Sequence, residues 1–322
     1  MYGFYICCKK IMKNYISKLY LLFSFIILTS CLDDDSSQII DNTPSIFEII
    51  ADSENHNTLE QLLIDTNLDE VLTSGVYTIF APTDAAFAEA NLNGLTNEEL
   101  VQLLLNHVLI GSAENTDFTN GYISTGATET FTGNQNIINM HVNVDGGILL
   151  NGVSNVTDEN VSASNGVVHV VDAVIPIPDI TTFVTADNSF NILEEALTRD
   201  DQPDFVGTLS SFENPAPFTV FGPTNDAFID LLEELELSEL SEIDTSTLTQ
   251  TLNTHVIAGE ILREESLTLG TVNTLGDDFE LDPSINVITD LNGRDINITI
   301  TNIQAGNGVI HVVDQVILPQ LP

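Results

Sequence analysis

The residues with the best claim to chemistry are four histidines that occur as two matched pairs. His107 sits in Asn-His-Val-Leu-Ile-Gly and His255 in Thr-His-Val-Ile-Ala-Gly, while His169 and His311 sit in Asn-Gly-Val-Val-His-Val-Val-Asp and Asn-Gly-Val-Ile-His-Val-Val-Asp. Asp84 and Asp172 could form a carboxylate pair for acid–base work, and His107 with His169 could begin a zinc site. The spacing supplies no third ligand. His107 and His255 lie one residue off an apolar helical stripe, and His169 and His311 are embedded in valine runs. All four read as buried imidazoles that fix a helix against a sheet. His56 and His141 have no counterpart. Asp84 becomes Asn225 in the second pairing, which suits a helix cap and breaks any carboxylate pair. No Gly-x-Ser-x-Gly, Walker loop, His-Glu-x-x-His or Gly-x-Gly-x-x-Gly occurs. The oxygen-rich stretch from Asp290 to Asn297 lacks the calcium-loop spacing and contains Arg294, so it reads as a hairpin turn. Arg199 to Asp204 reads as a loose solvated loop. The expectation is therefore no catalytic residue, no metal and no cofactor.

The elements that position these residues are themselves duplicated. Thr78-Ile-Phe-Ala-Pro-Thr-Asp-Ala-Ala-Phe87 recurs as Thr219-Val-Phe-Gly-Pro-Thr-Asn-Asp-Ala-Phe228. The offsets between copies are 141 at Phe80 and Phe221, 148 at His107 and His255, and 142 at His169 and His311. One unit of about 140 residues occurs twice, a domain's length and not a solenoid turn. The second copy carries a net insertion of seven residues between Phe221 and His255. In each copy a β-rich strand runs into Pro-Thr, where a helix begins with Thr83 or Asp84, and Thr224 or Asn225, as N-cap. Ser45–Glu48 and Thr96–Glu99 are capping boxes. Leu100, Leu104 and Val108, matched by Leu248, Leu252 and Val256, predict one apolar stripe along a helix. Turn-punctuated strands follow, and each copy closes on an almost continuous apolar strand buried on both faces. Helices followed by strands, without βαβ alternation, predict an α+β fold of mostly antiparallel sheet. The join, Ile175-Pro-Ile-Pro178, is short and stiff, which predicts domains with little relative freedom.

The start of the chain reads as an export leader. Lys9, Lys10, Lys13 and Lys18 precede an apolar run from Leu19 to Leu28, too short to span a bilayer, which needs about 20 residues. Leu28-Thr-Ser-Cys31 has the form of a bacterial lipobox, with Cys31 the lipidated residue. Asp33, Asp34 and Asp35 follow as an acidic export signal and tether. All three cysteines lie at or before this point, so the rest of the chain has no disulfide. The four leader lysines are the only lysines, which leaves Arg199, Arg263 and Arg294 against 48 acidic residues. Such a surface repels nucleic acid and anionic headgroups.

The three ordered blocks, each present twice, resemble the fasciclin domain. The resemblance covers about 43–178 and 179–322, after a leader at 1–30 and a tether at 31–42. It implies two fasciclin-like domains, each a β-wedge or sandwich with helices packed against it, that bind surfaces without catalysis. In this resemblance Thr83, Asp84, His107, His169, Asp172 and their twins Thr224, Asn225, His255, His311, Asp314 build the fold. The family often carries an aromatic residue before the mid-domain histidine, where this chain has Asn106 and Thr254. The functional expectation is a lipid-anchored adhesion protein at the surface of a Bacteroidetes-like outer membrane. Its ligand would be matrix, glycan or another cell-surface component. The alternative is an accessory glycan- or nutrient-capture lipoprotein, against which the lack of tryptophan counts.

Overall fold

Side-chain capping starts the first helix of each copy. The computed structural model describes residues 42–320, so the lipidation and export expectations at Cys31 and at Asp33, Asp34 and Asp35 lie outside the described residues. Ser45 opens α1 (Ile46–Ala51), with its hydroxyl accepting from Glu48 N–H while the Glu48 carboxylate accepts from Ser45 N–H. Asp179 does the same for α6 (Ile180–Ala186), with Thr182 in the glutamate's place. The first copy continues through α2 (Asn57–Asp65), α3 (Leu68–Thr73), β1 (Tyr77–Pro82), α4 (Asp84–Glu89) and α5 (Asn97–Leu105). The strands β2 (Val108–Ile110), β3 (Gly121–Thr128), β4 (Ile137–Asn143), β5 (Leu149–Leu150), β6 (Ser154–Ala163) and β7 (Gly166–Val171) complete it. The second copy runs α7 (Asn191–Thr198), α8 (Phe205–Leu209), β8 (Phe218–Pro223), α9 (Asn225–Glu234), α10 (Thr245–Thr254) and β9 (Val256–Ala258). It ends with β10 (Gly270–Val272), β11 (Phe279–Asp282), β12 (Val287–Thr289), β13 (Asp295–Ala305) and β14 (Gly308–Val313).

The two copies make the same sheet. The orders are β2-β1-β7-β6-β5-β4-β3 and β10-β11-β12-β13-β14-β8-β9, read from opposite edges. Every pairing is antiparallel except β1 with β7 and β8 with β14, which bring the first and last strands of each copy together in parallel. The fold is α+β, with a seven-stranded mixed sheet and helices in each copy.

Strand alternation divides each core in two. Ile79 and Ala81 of β1 and Val168 of β7 face the helices, beside Ile46, Leu59, Leu63 and Leu104. Phe80 and Val171 face the other way, against Met140, Val142 and Leu150. A strand between two apolar layers must be apolar at successive positions, which accounts for the valine run of β7 and its twin β14. Burying one such side chain contributes about 1.5–3 kcal/mol, so both faces of the pair are expensive to disturb.

The helical stripe ends sooner than its periodicity suggests. Leu104 and Leu252 are buried on helices, but α5 stops at Leu105 and α10 at Thr254. Val108 and Val256 open β2 and β9, where they pair with Ile79 and Val220. The histidine between helix and strand takes a carbonyl of the last turn and so ends the helix.

Candidate functional site

Each recurrent polar side chain joins two elements. His107, 1% exposed, donates from Nδ1 to Leu103 O at 2.8 Å and accepts from Ile175 N–H at Nε2, also at 2.8 Å. His255 repeats this with Thr251 O and Ile317 N–H at 2.8 and 2.9 Å. The carbonyl can only accept, so the proton sits on Nδ1 and the ring is neutral. Burial pushes both imidazoles down from 6.5 to about 4. Each ring thus ends a helix and fastens the tail of its domain to it.

His169 and His311 work on the other side of the sheet. Nε2 of His169 donates to Ala113 O at 3.0 Å, and its ring stands 5.7 Å from Phe80 and 5.6 Å from Phe118. His311 donates to Leu262 O at 2.8 Å and stacks on Phe221 at 5.5 Å. His107 and His169 therefore bind different carbonyls in different layers. Among the described residues no group of three or more His, Cys, Asp or Glu could hold a metal ion.

The Pro-Thr-Asp and Asn-Gly blocks are also committed. Thr83 and Thr224 are the N-caps of α4 and α9, accepting from Ala86 N–H and Ala227 N–H. Asp84 and Asn225, the other candidates for that position, instead cap a second helix. Asp84 accepts from Thr58 N–H at 2.7 Å and from Asn57 Nδ2 at 2.9 Å, and Asn225 accepts from Ile192 N–H at 2.9 Å. These bonds hold the Asp84 carboxyl down at about 2. An acceptor oxygen suffices for the task, which is why Asp and Asn alternate there. Asp172 accepts from the backbone and side-chain amides of Asn155, and Asp314 from those of Asn297.

Several partners carried no signal that sequence reasoning used. Asn165 accepts from Ile46 N–H and donates to Leu72 O, while Asn307 accepts from Ile180 N–H and donates to Leu209 O. Thr78 donates to Gly111 O and accepts from Ala113 N–H, as Thr219 does with Glu260 O and Leu262 N–H. Recurrence in both copies was the available clue. Asn106, in the position of the family's aromatic residue, donates to Ile175 O and Pro176 O and so grips the join. Thr254 instead donates to Gln250 O and accepts from Asp277 N–H.

The segment read as a hairpin turn and the one read as a loose loop are both tied down. Asp290 is buried and accepts from Asn292 N–H, Arg294 N–H, the Arg294 guanidinium and Leu318 N–H. Arg294 also pairs with Glu234 at 2.9 Å. Arg199 binds Asp201 through two nitrogens and donates to Leu240 O and Ile243 O, so the Arg199–Asp204 segment is solvent-exposed, as expected, but anchored and not loose.

The copies meet directly. Tyr122 of β3 donates to Asp187 at 2.9 Å and stands edge-on to Phe183 at 5.3 Å and to His141 at 5.1 Å. Asp187 lies 4.0 Å from His141 Nε2. Gln304 N–H of β13 donates to Asn139 of β4 at 2.8 Å, and Phe131 stacks on Phe212 at 6.4 Å.

A seven-stranded α+β unit, made twice and sealed helix to strand by its repeated polar residues, defines a tandem-domain architecture. The family model of the fasciclin domain matches residues 54–178 and 181–319, and the chain belongs to that family. It is 27% identical over 256 residues to transforming growth factor-beta-induced protein ig-h3 of Sus scrofa, covering 76% of this chain and 35% of that protein. It is 28% identical over 267 residues to human periostin, covering 78% of this chain and 29% of periostin. The chain thus spans about a third of the length of these relatives. An uncharacterized protein of Synechocystis is 32% identical over 143 residues, 44% of this chain and 98% of that one. The solved FAS1 domain pair from the insect cell adhesion molecule fasciclin I matches with a TM-score of 0.50 and 19% identity, covering 82% of this chain and 96% of that one. That likeness concerns the fold.

Proposed function

We propose that the chain is a surface-displayed adhesion protein that binds a matrix, glycan or cell-surface component without catalysis. Lipid on Cys31 would anchor it to an outer membrane, with Asp33, Asp34 and Asp35 directing export and residues 31–42 serving as the tether. The fasciclin units would span 43–178 and 179–322. The observation that carries this reading is that the recurrent polar residues described above are engaged in holding the fold together. Binding then falls to loops and faces that differ between the copies. The insect fasciclin I pair comes from a cell adhesion molecule, which supports the same reading.

Protease treatment of intact cells should remove the protein, and survival of the chain would overturn surface display. Cys31→Ser should shift it from the membrane fraction to the soluble fraction. Deleting the gene should reduce attachment while growth on polysaccharides is unchanged. A growth defect confined to one polysaccharide would replace adhesion with glycan capture.

A further inference from the structure

The seven residues that distinguish the copies decide whether one groove is filled. Between the caps Thr224 and Asp244, the second copy extends α9 to Glu234, where α4 of the first copy already ends at Glu89. The added chain carries Leu235 and Leu237, then a single turn at Leu240–Glu242, and reaches Ile243. Leu231, Leu240 and Ile243 are buried. Arg199 holds the segment in place through the Leu240 and Ile243 carbonyls, whereas the matching position of the first copy is Asp65, which accepts from Gln61. Only about 230 Å³ of space is left in that groove.

In the first copy the same groove is open. Ala90 stands for Leu231, and Leu95 stands for Ile243 but is 40% exposed where Ile243 is 6%. The space measures about 840 Å³ and is walled on its far side by Ile177, Phe212 and Gly306 of the join and second copy. Leu92, Leu103, Ile138 and Val174 give it an apolar floor. Its charged lining residues are Glu98, Glu99 and Glu129, and no Lys or Arg lines it. Hydrogen bonds from Thr96 hold the Glu99 carboxyl below its ordinary value, so that part of the rim stays anionic.

We propose that this groove is a docking site for a short leucine- and isoleucine-rich segment of another polypeptide that carries basic residues. The second copy shows the shape of the occupant, because its own segment fills the equivalent space. The rim sets the charge, because an acidic segment like that one would meet glutamates without a counter-charge. Docking of this kind, apolar side chains of a short segment seated in a groove, does not depend on the adhesion reading.

The test uses the chain from Asn42 onward, which forms one compact unit. Two labelled peptides are titrated by fluorescence anisotropy, residues 231–243 of this chain and the same peptide with each glutamate replaced by lysine. The lysine peptide should bind saturably at micromolar concentrations, with the glutamate peptide at least about tenfold weaker. Ala90→Leu, which installs the second copy's residue, should weaken the lysine peptide about tenfold by filling the groove. Glu98→Lys, on an exposed position, should weaken it by a similar factor of about ten without touching the core. No saturable binding up to about 1 mM would overturn the proposal. So would equal binding of a scrambled lysine peptide, equal binding of the glutamate peptide, or an Ala90→Leu chain that binds as well as the parent.

Discussion

At the scale of single residues, the two mid-domain histidines lower stability in acid. The folded values of His107 and His255 lie at about 4 against 6.5 for a free imidazole. Above 6.5 both states are neutral and nothing is lost. As pH falls from 6.5 towards 4, the unfolded chain takes up protons that the folded chain refuses, so stability declines across that window and levels off below it. Each ring accounts for roughly 3 kcal/mol at the bottom of the window, an order-of-magnitude figure. Urea midpoints measured from neutral to mildly acidic pH should show the decline. His107→Ala should cost about 3 kcal/mol at neutral pH by orphaning Ile175 N–H and opening a cavity, and should flatten the acid decline by one ring's share. A loss at neutral pH with an unchanged acid slope would mean that His107 is not the titrating group. Asp84, Asp201 and Asp244, held at about 2, act in a lower range, since their stabilisation is present above 3.8 and lost below it.

At the scale of elements, caps and close approaches are the points most open to test. Thr83→Ala should cost about 1 kcal/mol, the usual value of an N-cap, measured by chemical denaturation. Asp84→Asn should cost less than Asp84→Ala, because it keeps the Thr58 cap as Asn225 keeps that of Ile192 and loses the charged bond to Asn57. Asp84→Ala should lose about as much as Thr83→Ala, through α2 and not through α4. Gly166 is a stricter position. It has φ +147°, and an added Cβ would lie 1.8 Å from Tyr77 O across the parallel β1–β7 pair. Gly166→Ala should therefore cost at least about 3 kcal/mol, and an unperturbed melt would show that β1 and β7 are less closely apposed.

At the scale of the whole molecule, the junction and the net charge work against each other. Tyr122, His141 and Asp187 form a polar and aromatic latch between the copies, and neither His141 nor this latch is repeated within the second copy. Tyr122→Phe keeps the ring packing but leaves the Asp187 oxygen without its donor, so calorimetry should show the two copies melting less cooperatively. The excess of 48 acidic residues over three arginines past the leader repels itself across the molecule. Raising salt from about 0.01 M to about 1 M shortens the screening length from about 30 Å to about 3 Å, so melting temperature should rise with salt. A fall would show that ion pairs such as Arg294–Glu234 outweigh the repulsion.

The sequence by itself determined the duplication, the α+β class, the capping boxes and the doubly buried closing strands. These follow from periodicity and from local side-chain chemistry, which act over a few residues. It also suggested that the histidines build the fold, because they recur with their apolar surroundings. Tertiary structure alone decided where α5 and α10 end, since that depends on His107 and His255 reaching Ile175 and Ile317 far along the chain. It alone separated the duties of Thr83 and Asp84, because Asp84 serves a helix that lies 26 residues earlier. The junction and the open groove belong to the same category. A seven-residue difference can be counted in the sequence, but whether those residues fill a space depends on which surfaces the fold brings face to face.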